Sequence, residues 1–119
     1  MSKFQYHPIE ADILCIRVGT HGRFSVQDMD EIQQERIKLY KQAHAVLLEI
    51  RSAQGYELDA IRFLWREEVK NITTALAVVT TNFLTVYGAK LFLAYHKPPF
   101  PAKLFDNSDI ALQWLRKFI

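Results

Sequence analysis

Carboxylates, histidines and a single thiol are the side chains of this chain with chemistry to offer, and their spacing decides whether they can act together. Asp28, Asp30, Glu31 and Glu35 crowd one segment, and acids that converge on a cleft can divide general acid and base work between them. At helical spacing they spread along a surface instead. Glu31 lies one turn from Glu35, which neighbours Lys38, the arrangement of a solvated charged face. Glu49 differs, because it interrupts the apolar run AVLLEI, where an ionised carboxylate needs a cation. Arg17 on a neighbouring strand or Arg51 is predicted to supply one, giving a buried structural pair rather than a catalytic base.

His7, His21, His44 and His96 are scattered, with no His-x-x-x-His pair, and one cysteine leaves no zinc-ligand spacing. These histidines are expected to face solvent or cap helices. Cys15 lies in ILCIRVG, where a buried thiol is expected, and a chain with no internal disulfide suits a reducing cytoplasm. The stretch GTHG lacks both the length and the Lys-Ser/Thr pair of a phosphate loop and reads as a turn. No catalytic constellation, metal or cofactor is predicted, so a non-enzymatic role is expected.

At 119 residues, 50% of them hydrophobic, the chain is sized for one core, and 1–119 reads as a single domain. Fifteen Lys and Arg against thirteen Asp and Glu leave a net charge of +2, too balanced for the basic stripe that phosphate backbones demand. Nucleic acid is not an expected partner. No window approaches the roughly 18 apolar residues of a membrane span, and MSKFQYHPIEAD lacks the apolar segment of a signal peptide. A soluble, cytoplasmic protein is expected.

The elements that must carry these residues follow from periodicity. FQYHPIE and ILCIRVG are short β-prone runs that read as an opening hairpin. Ser25, three residues before Asp28, reads as a helix N-cap, and Val26, Met29, Ile32, Ile37 and Tyr40 mark the inner stripe of a helix ending near His44. AVLLEI reads as a central strand covered on both faces. After a loop, RSAQGYE, the spacing of Leu58, Ile61, Trp65, Val69 and Ile72 predicts one helix. ALAVVT is another buried strand, and Asn82 is placed to cap a helix through FLTVYGAKLFLAY that keeps almost no polar face. Pro98, Pro99 and Pro101 must stop it, AKLF adds a last strand, and Asp106 or Asn107 caps a final helix whose inner face is Ala111, Leu112, Leu115, Phe118 and Ile119. Strands alternating with helices predict an α/β fold with a mostly parallel sheet.

Together the element order, VLLEI, ALAVVT and the ending PPFPAKLFDNSDIALQWLRKF resemble the STAS-like bacterial proteins related to SpoIIAA, the anti-sigma-factor antagonist. The resemblance covers nearly the whole chain and implies a mixed, mostly parallel sheet of about five strands, four helices and an N-terminal hairpin. It also implies a regulatory protein-interaction domain. In such antagonists the strand that VLLEI resembles leads to an Asp-Ser-Ser-Gly-like helix start whose serine is phosphorylated by a partner kinase. Here that stretch is Glu57, Leu58, Asp59 and Ala60, so no hydroxyl stands at the acceptor position. The serine switch is therefore not carried over, and Asp59 reads as an ordinary first-turn acid before it reads as a permanent mimic of the phosphorylated state. What the resemblance leaves for a protein partner is the surface of Ser52, Gln54, Tyr56, Glu57, Asp59 and Arg62.

The apolar helix suggests two further occupants. A helix that is greasy all round exposes a patch when it packs on one sheet, and Leu84, Tyr87, Phe92 and Tyr95, with Phe100 beyond the helix, are predicted to form a homodimer face. The competing reading is a small apolar ligand or lipid lined by Phe63, Trp65, Phe83 and Tyr87. Ordinary core packing would use the same aromatics.

Overall fold

In the computed structural model, which describes residues 3–119, the sheet takes its strands in the order of the chain. Strands β1 (Phe4–Glu10) and β2 (Ile13–Phe24) form the antiparallel hairpin, and β3 (His44–Tyr56), β4 (Thr73–Val79) and β5 (Ala102–Phe105) add in parallel. AVLLEI lies in the middle strand, as its apolar composition requires.

Crossover chirality then distributes the helices. The parallel connections are α1 (Val26–Leu39), α2 (Leu58–Phe63) with α3 (Glu67–Lys70), and α4 (Phe83–Tyr95). Such connections are right-handed almost without exception, so a sheet that grows in one direction receives them all on one face. Helix α5 (Ser108–Leu115), continued by the 3-10 turn Arg116–Phe118, follows the last strand and escapes that constraint. It covers the other face, where Ala111 and Leu115 close on the small side chains Cys15, Ala45, Ala75 and Ala77. The crowded face presents Leu14, Ile16, Val18, Val46 and Ile50 to Phe4 and Tyr40.

Each long helix has a side-chain cap. Ser25 Oγ accepts from Asp28 N–H at 3.2 Å while Asp28 Oδ2 accepts from Ser25 N–H at 2.9 Å, a complete capping box. Asn82 Oδ1 accepts from Thr85 N–H, and Asn107 Oδ1 from Ile110 N–H, each at 3.1 Å. Asn107, not Asp106, is the cap of α5. Helix α4 ends at Tyr95, before the proline-rich segment, and Pro101 C=O accepts from Leu76 N–H at 2.8 Å to start β5.

Five expectations need correcting. GTHG and RSAQGYE are not loops: residues 19–24 and 51–56 extend β2 and β3, paired from Thr20 with Ser52 to Phe24 with Tyr56. Their glycines and polar residues hide a strand that ladder hydrogen bonds sustain, and Gly55, at φ 125°, takes a backbone open to glycine while still pairing with Arg23. The expected second helix breaks into α2 and α3 around Leu64–Arg66, so there are five α-helices, and Leu58 and Trp65 face solvent. Helix α1 stops at Leu39, and Ile37 is 51% exposed; Gln33 and Arg36 occupy the inner stripe instead. Finally, His44 is 0% exposed and the His21 side chain is nearly sealed, so these two are buried hydrogen-bonding groups rather than surface or capping residues. At the C-terminus Ile119 is exposed, whereas Phe118 packs as expected.

Candidate functional site

β2 and β3 outrun β4. The pairing of β3 with β4 ends at Glu49 and Val79, leaving residues 50–56 as an overhang whose outer edge has no neighbouring strand. Unpaired edge groups are costly when buried, and α4 supplies the remedy. Thr85 Oγ1 accepts from Ala53 N–H at 2.9 Å and donates to Asn82 Oδ1 at 3.0 Å. One hydroxyl thus fastens the first turn of α4 to the overhang, and Thr85 is the helix's one buried residue. Farther along, Tyr56 meets Phe92 edge-on at 5.6 Å.

Held this way, α4 leaves space beneath it. A cavity of about 500 Å³ lies between the crowded sheet face and α1, α2 and α4, within the roughly 300 to 1,000 Å³ of small-molecule sites. Its floor is Ile16, Val46, Leu48, Ile50 and Val78; Met29 and Ile32 come from α1, and Ile61, Phe63 and Leu64 from α2 and the turn after it. Leu84, Tyr87, Gly88 and Phe92 overhang it, and Phe100 reaches it from the proline-rich segment. The lining is overwhelmingly apolar.

Polar groups meet at one end. Arg36, on the third turn of α1, is 5% exposed. Its Nε donates to His44 Nε2 at 2.9 Å, and its Nη2 donates to Ile72 C=O at 3.1 Å and Thr73 Oγ1 at 2.8 Å. Thr73 in turn donates to Val69 C=O at 2.7 Å. Since His44 accepts on Nε2, its proton sits on Nδ1, which donates to Gln42 C=O at 3.1 Å. Burial and then the adjacent Arg36 charge push this imidazole down to about 4, so it stays neutral, and Tyr40 stacks on it at 4.2 Å. Burial alone pushes the Arg36 guanidinium down to about 10, which leaves it charged. No carboxylate pairs with it among the described residues.

A separate, open cleft of about 310 Å³ at the carboxyl ends of the strands is lined by Arg17, Glu49, Arg51, Thr80 and Thr81. There Glu49 accepts from Arg17 Nε at 2.8 Å, from Cys15 Sγ at 3.3 Å and, through its other oxygen, from Ser108 Oγ at the start of α5. Arg17, one of the two expected cations, is the partner, but its side chain is largely exposed, so the pair is not the buried one expected. Burial by itself would raise Glu49, but the bonds from Ser108, Arg17 and Cys15 outweigh it and hold the carboxyl below its ordinary range. Asp28 behaves alike. Burial is offset by Ser25 N–H, His21 and Lys3, and the carboxyl is again held low. Both acids are therefore tied into the fold. Among the described residues no three His, Cys, Asp or Glu side chains gather to hold a metal, and no helix is long and apolar enough to cross a membrane.

A family model described as a domain of unknown function, DUF7793, matches residues 8–119. The chain belongs to the DUF7793 family. None of the curated proteins searched is similar to this DUF7793 domain. Among solved structures it is similar to an uncharacterised protein of the DUF3478 family from Shewanella loihica PV-4 with a SpoIIAA-like fold, at 16% identity and a TM-score of 0.58, covering 94% of this chain and 91% of that one. The likeness establishes the SpoIIAA-like fold that the sequence resembled.

The residues singled out in the sequence divide in this DUF7793 domain between exposed positions and the cavity lining. Gln54, Glu57, Asp59 and Arg62 are exposed, with Asp59 and Arg62 3.6 Å apart across one turn of α2, but Ser52 sits half-buried within β3. Gln54 and Tyr56 line the cavity. Of the residues expected at an apolar face, Leu84, Tyr87, Phe92, Phe100 and Phe63 also line it, whereas Trp65, Phe83 and Tyr95 do not. Phe83 and Tyr95 are 79% and 76% exposed. Sequence reasoning missed Gln33, Arg36, Thr73 and Thr85, the polar groups that touch the cavity from α1, β4 and α4.

Proposed function

We propose that this domain binds a small apolar molecule, without converting it, in the cavity between its sheet and α4. The observation that carries this reading is a partly open apolar pocket of about 500 Å³ on a 119-residue fold, a volume in the range of small-molecule sites. A binding role fits the polar lining, because Gln33, Thr73 and Thr85 already spend hydrogen bonds on the fold. Native mass spectrometry of freshly purified protein tests it: a stoichiometric non-protein mass is expected. Gly88 offers the control. A Cβ there meets no heavy atom within 4 Å, so Gly88→Leu should fold at least as well, fill the cavity edge and release the guest. A protein that carries no guest and takes up no apolar dye would refute the reading.

A second reading is favoured by α4 itself, which leaves Phe83, Leu84, Tyr87, Leu91 and Tyr95 exposed on one helix. Monomers seldom present so much contiguous apolar surface, and a second copy of the chain packed about a twofold axis would cover it. Phe83→Ser with Tyr95→Ser should then convert a dimer to a monomer in light scattering, while a wild-type monomer at tens of micromolar would reject it. The SpoIIAA-like fold also supports a regulatory protein-interaction role for the exposed Gln54, Glu57, Asp59 and Arg62. Alanine at all four should then remove a protein partner captured by the wild type.

A further inference from the structure

The cavity has a chemical polarity that its apolar lining conceals. Among the described residues that line it, Arg36 carries the one formal charge. A buried cation is stable only when its donors are met and its charge is balanced. A guanidinium has five N–H donors, and three are used here: Nε on His44, and Nη2 on Ile72 C=O and Thr73 Oγ1. All three acceptors are neutral. The two N–H of Nη1 find no acceptor among the described residues, and Nη1 is not one of the side-chain atoms sealed away without a partner. The guanidinium is thus fixed along two edges by His44, Thr73 and the backbone, and its remaining donors have room and no anion.

Shape says what the rest of the guest must be. From Val46, near the His44 end, to Ala53 under α4, the lining of β3 spans seven residue rises, about 23 Å at strand spacing. That is the length of an extended acyl chain, and Leu48 and Ile50 pave the way between. A point cation at one end of an apolar cavity calls for an amphiphile with an anionic head.

We infer that the cavity is a site for a carboxylate-headed acyl chain, its head on the Nη1 edge of Arg36 and its tail running along β3 towards α4. This rests on the apolar-guest reading above and names the guest's class. A carboxylate is favoured over larger heads because Arg36 is only 5% exposed, which leaves its free edge accessible to a small head alone.

Titration calorimetry with dodecanoate, dodecanol, dodecylammonium and dodecyl phosphate separates the possibilities. Dodecanoate should bind at least tenfold more tightly than dodecanol, and dodecylammonium least well. Arg36→Gln should erase the acid's advantage while leaving dodecanol binding within about threefold. Should that variant not fold, carbon NMR of carboxyl-labelled dodecanoate on the wild type decides, since a head on Arg36 stays ionised to lower pH than free acid. Equal binding of acid and alcohol, or an unshifted carboxyl titration, overturns the head assignment and leaves the apolar site standing. Preference for the phosphate overturns the carboxylate. If none of the four binds, the apolar-guest reading falls as well.

Discussion

Arg36 and His44 share a hydrogen bond of 2.9 Å in which the charged guanidinium donates and a neutral imidazole accepts. The pair joins α1 to the first residue of β3, and the guanidinium helps to hold the imidazole neutral. A protonated His44 would put two cations in contact inside the fold.

Acid should therefore weaken the domain before its carboxylates titrate. Between the ordinary histidine value of 6.5 and the folded value of about 4, the unfolded chain takes up a proton that the folded chain refuses. Stability falls as pH falls through that window, by at most ~1.4 kcal/mol per pH unit. Urea unfolding at successive pH values would record the slope. His44→Gln, which keeps an acceptor for Arg36, should flatten it; an unaltered slope in that variant would dismiss this account.

A lower acid window belongs to Glu49 and Asp28. Both carboxyls are held below their usual range, so their contribution is complete above the unfolded carboxylate values and is lost as pH drops through the folded ones. For Glu49 the bond to Ser108, which ties β3 to α5, should matter more than the one to Arg17, whose side chain is largely exposed. A double-mutant cycle of Glu49→Gln with Ser108→Ala should give a coupling of ~1 kcal/mol or more, and the cycle with Arg17→Met less. The reverse order would show the surface ion pair to dominate.

Thr85 offers a cleaner test of α4. Thr85→Val keeps the shape of the side chain but strands the Ala53 N–H, at a cost of ~1–3 kcal/mol. The loss should be local. Hydrogen exchange at Ala53 and through α4 should accelerate severalfold while the amides of Val46 to Leu48 keep their protection. A uniform change across the sheet would mean that the hydroxyl does not fasten this helix.

Cys15 should resist alkylation. Burial first, and then the Glu49 carboxylate, push its thiol up to about 12, so thiolate is scarce at neutral pH. Labelling by iodoacetamide is expected to follow global unfolding, with the rate rising with urea. Rapid labelling of the native protein would contradict the burial of Cys15.

How far the sequence exposed all this depends on which physical signal each residue carried. Alternation and caps are local, so Ser25, Asn82, the hairpin and the central strand could be read directly. The overhang could not, because Gly19, Gly22 and Gly55 are turn formers, and only pairing between two such segments makes either one a strand. The cavity was half legible. Tyr87, Phe63 and Phe92 stand out by their types, but Arg36 does not, since an apolar stripe puts Ile37 in its place. The spacing held the answer: Met29, Gln33, Arg36 and Tyr40 fall three or four apart, and a polar type at such a position marks a buried network. Trp65 and Phe83 misled for the converse reason, being aromatics that the break before α3 and the free side of α4 leave in solvent.

The strands lie in the sheet in the sequence in which a ribosome would deliver them. Every strand after the first pairs with one already made, but each parallel pairing joins residues far apart in the chain, Ile13 with Ala45 and His44 with Thr73, so the crossover closures should set the pace of folding. Growth from the N-terminus can extend one edge of the sheet strand by strand during synthesis, with α5 last to dock on the face that no crossover occupies. Truncations ending after β3 or β4 should accordingly show increasing native-like structure, whereas removing the β1–β2 hairpin should leave later strands without a template.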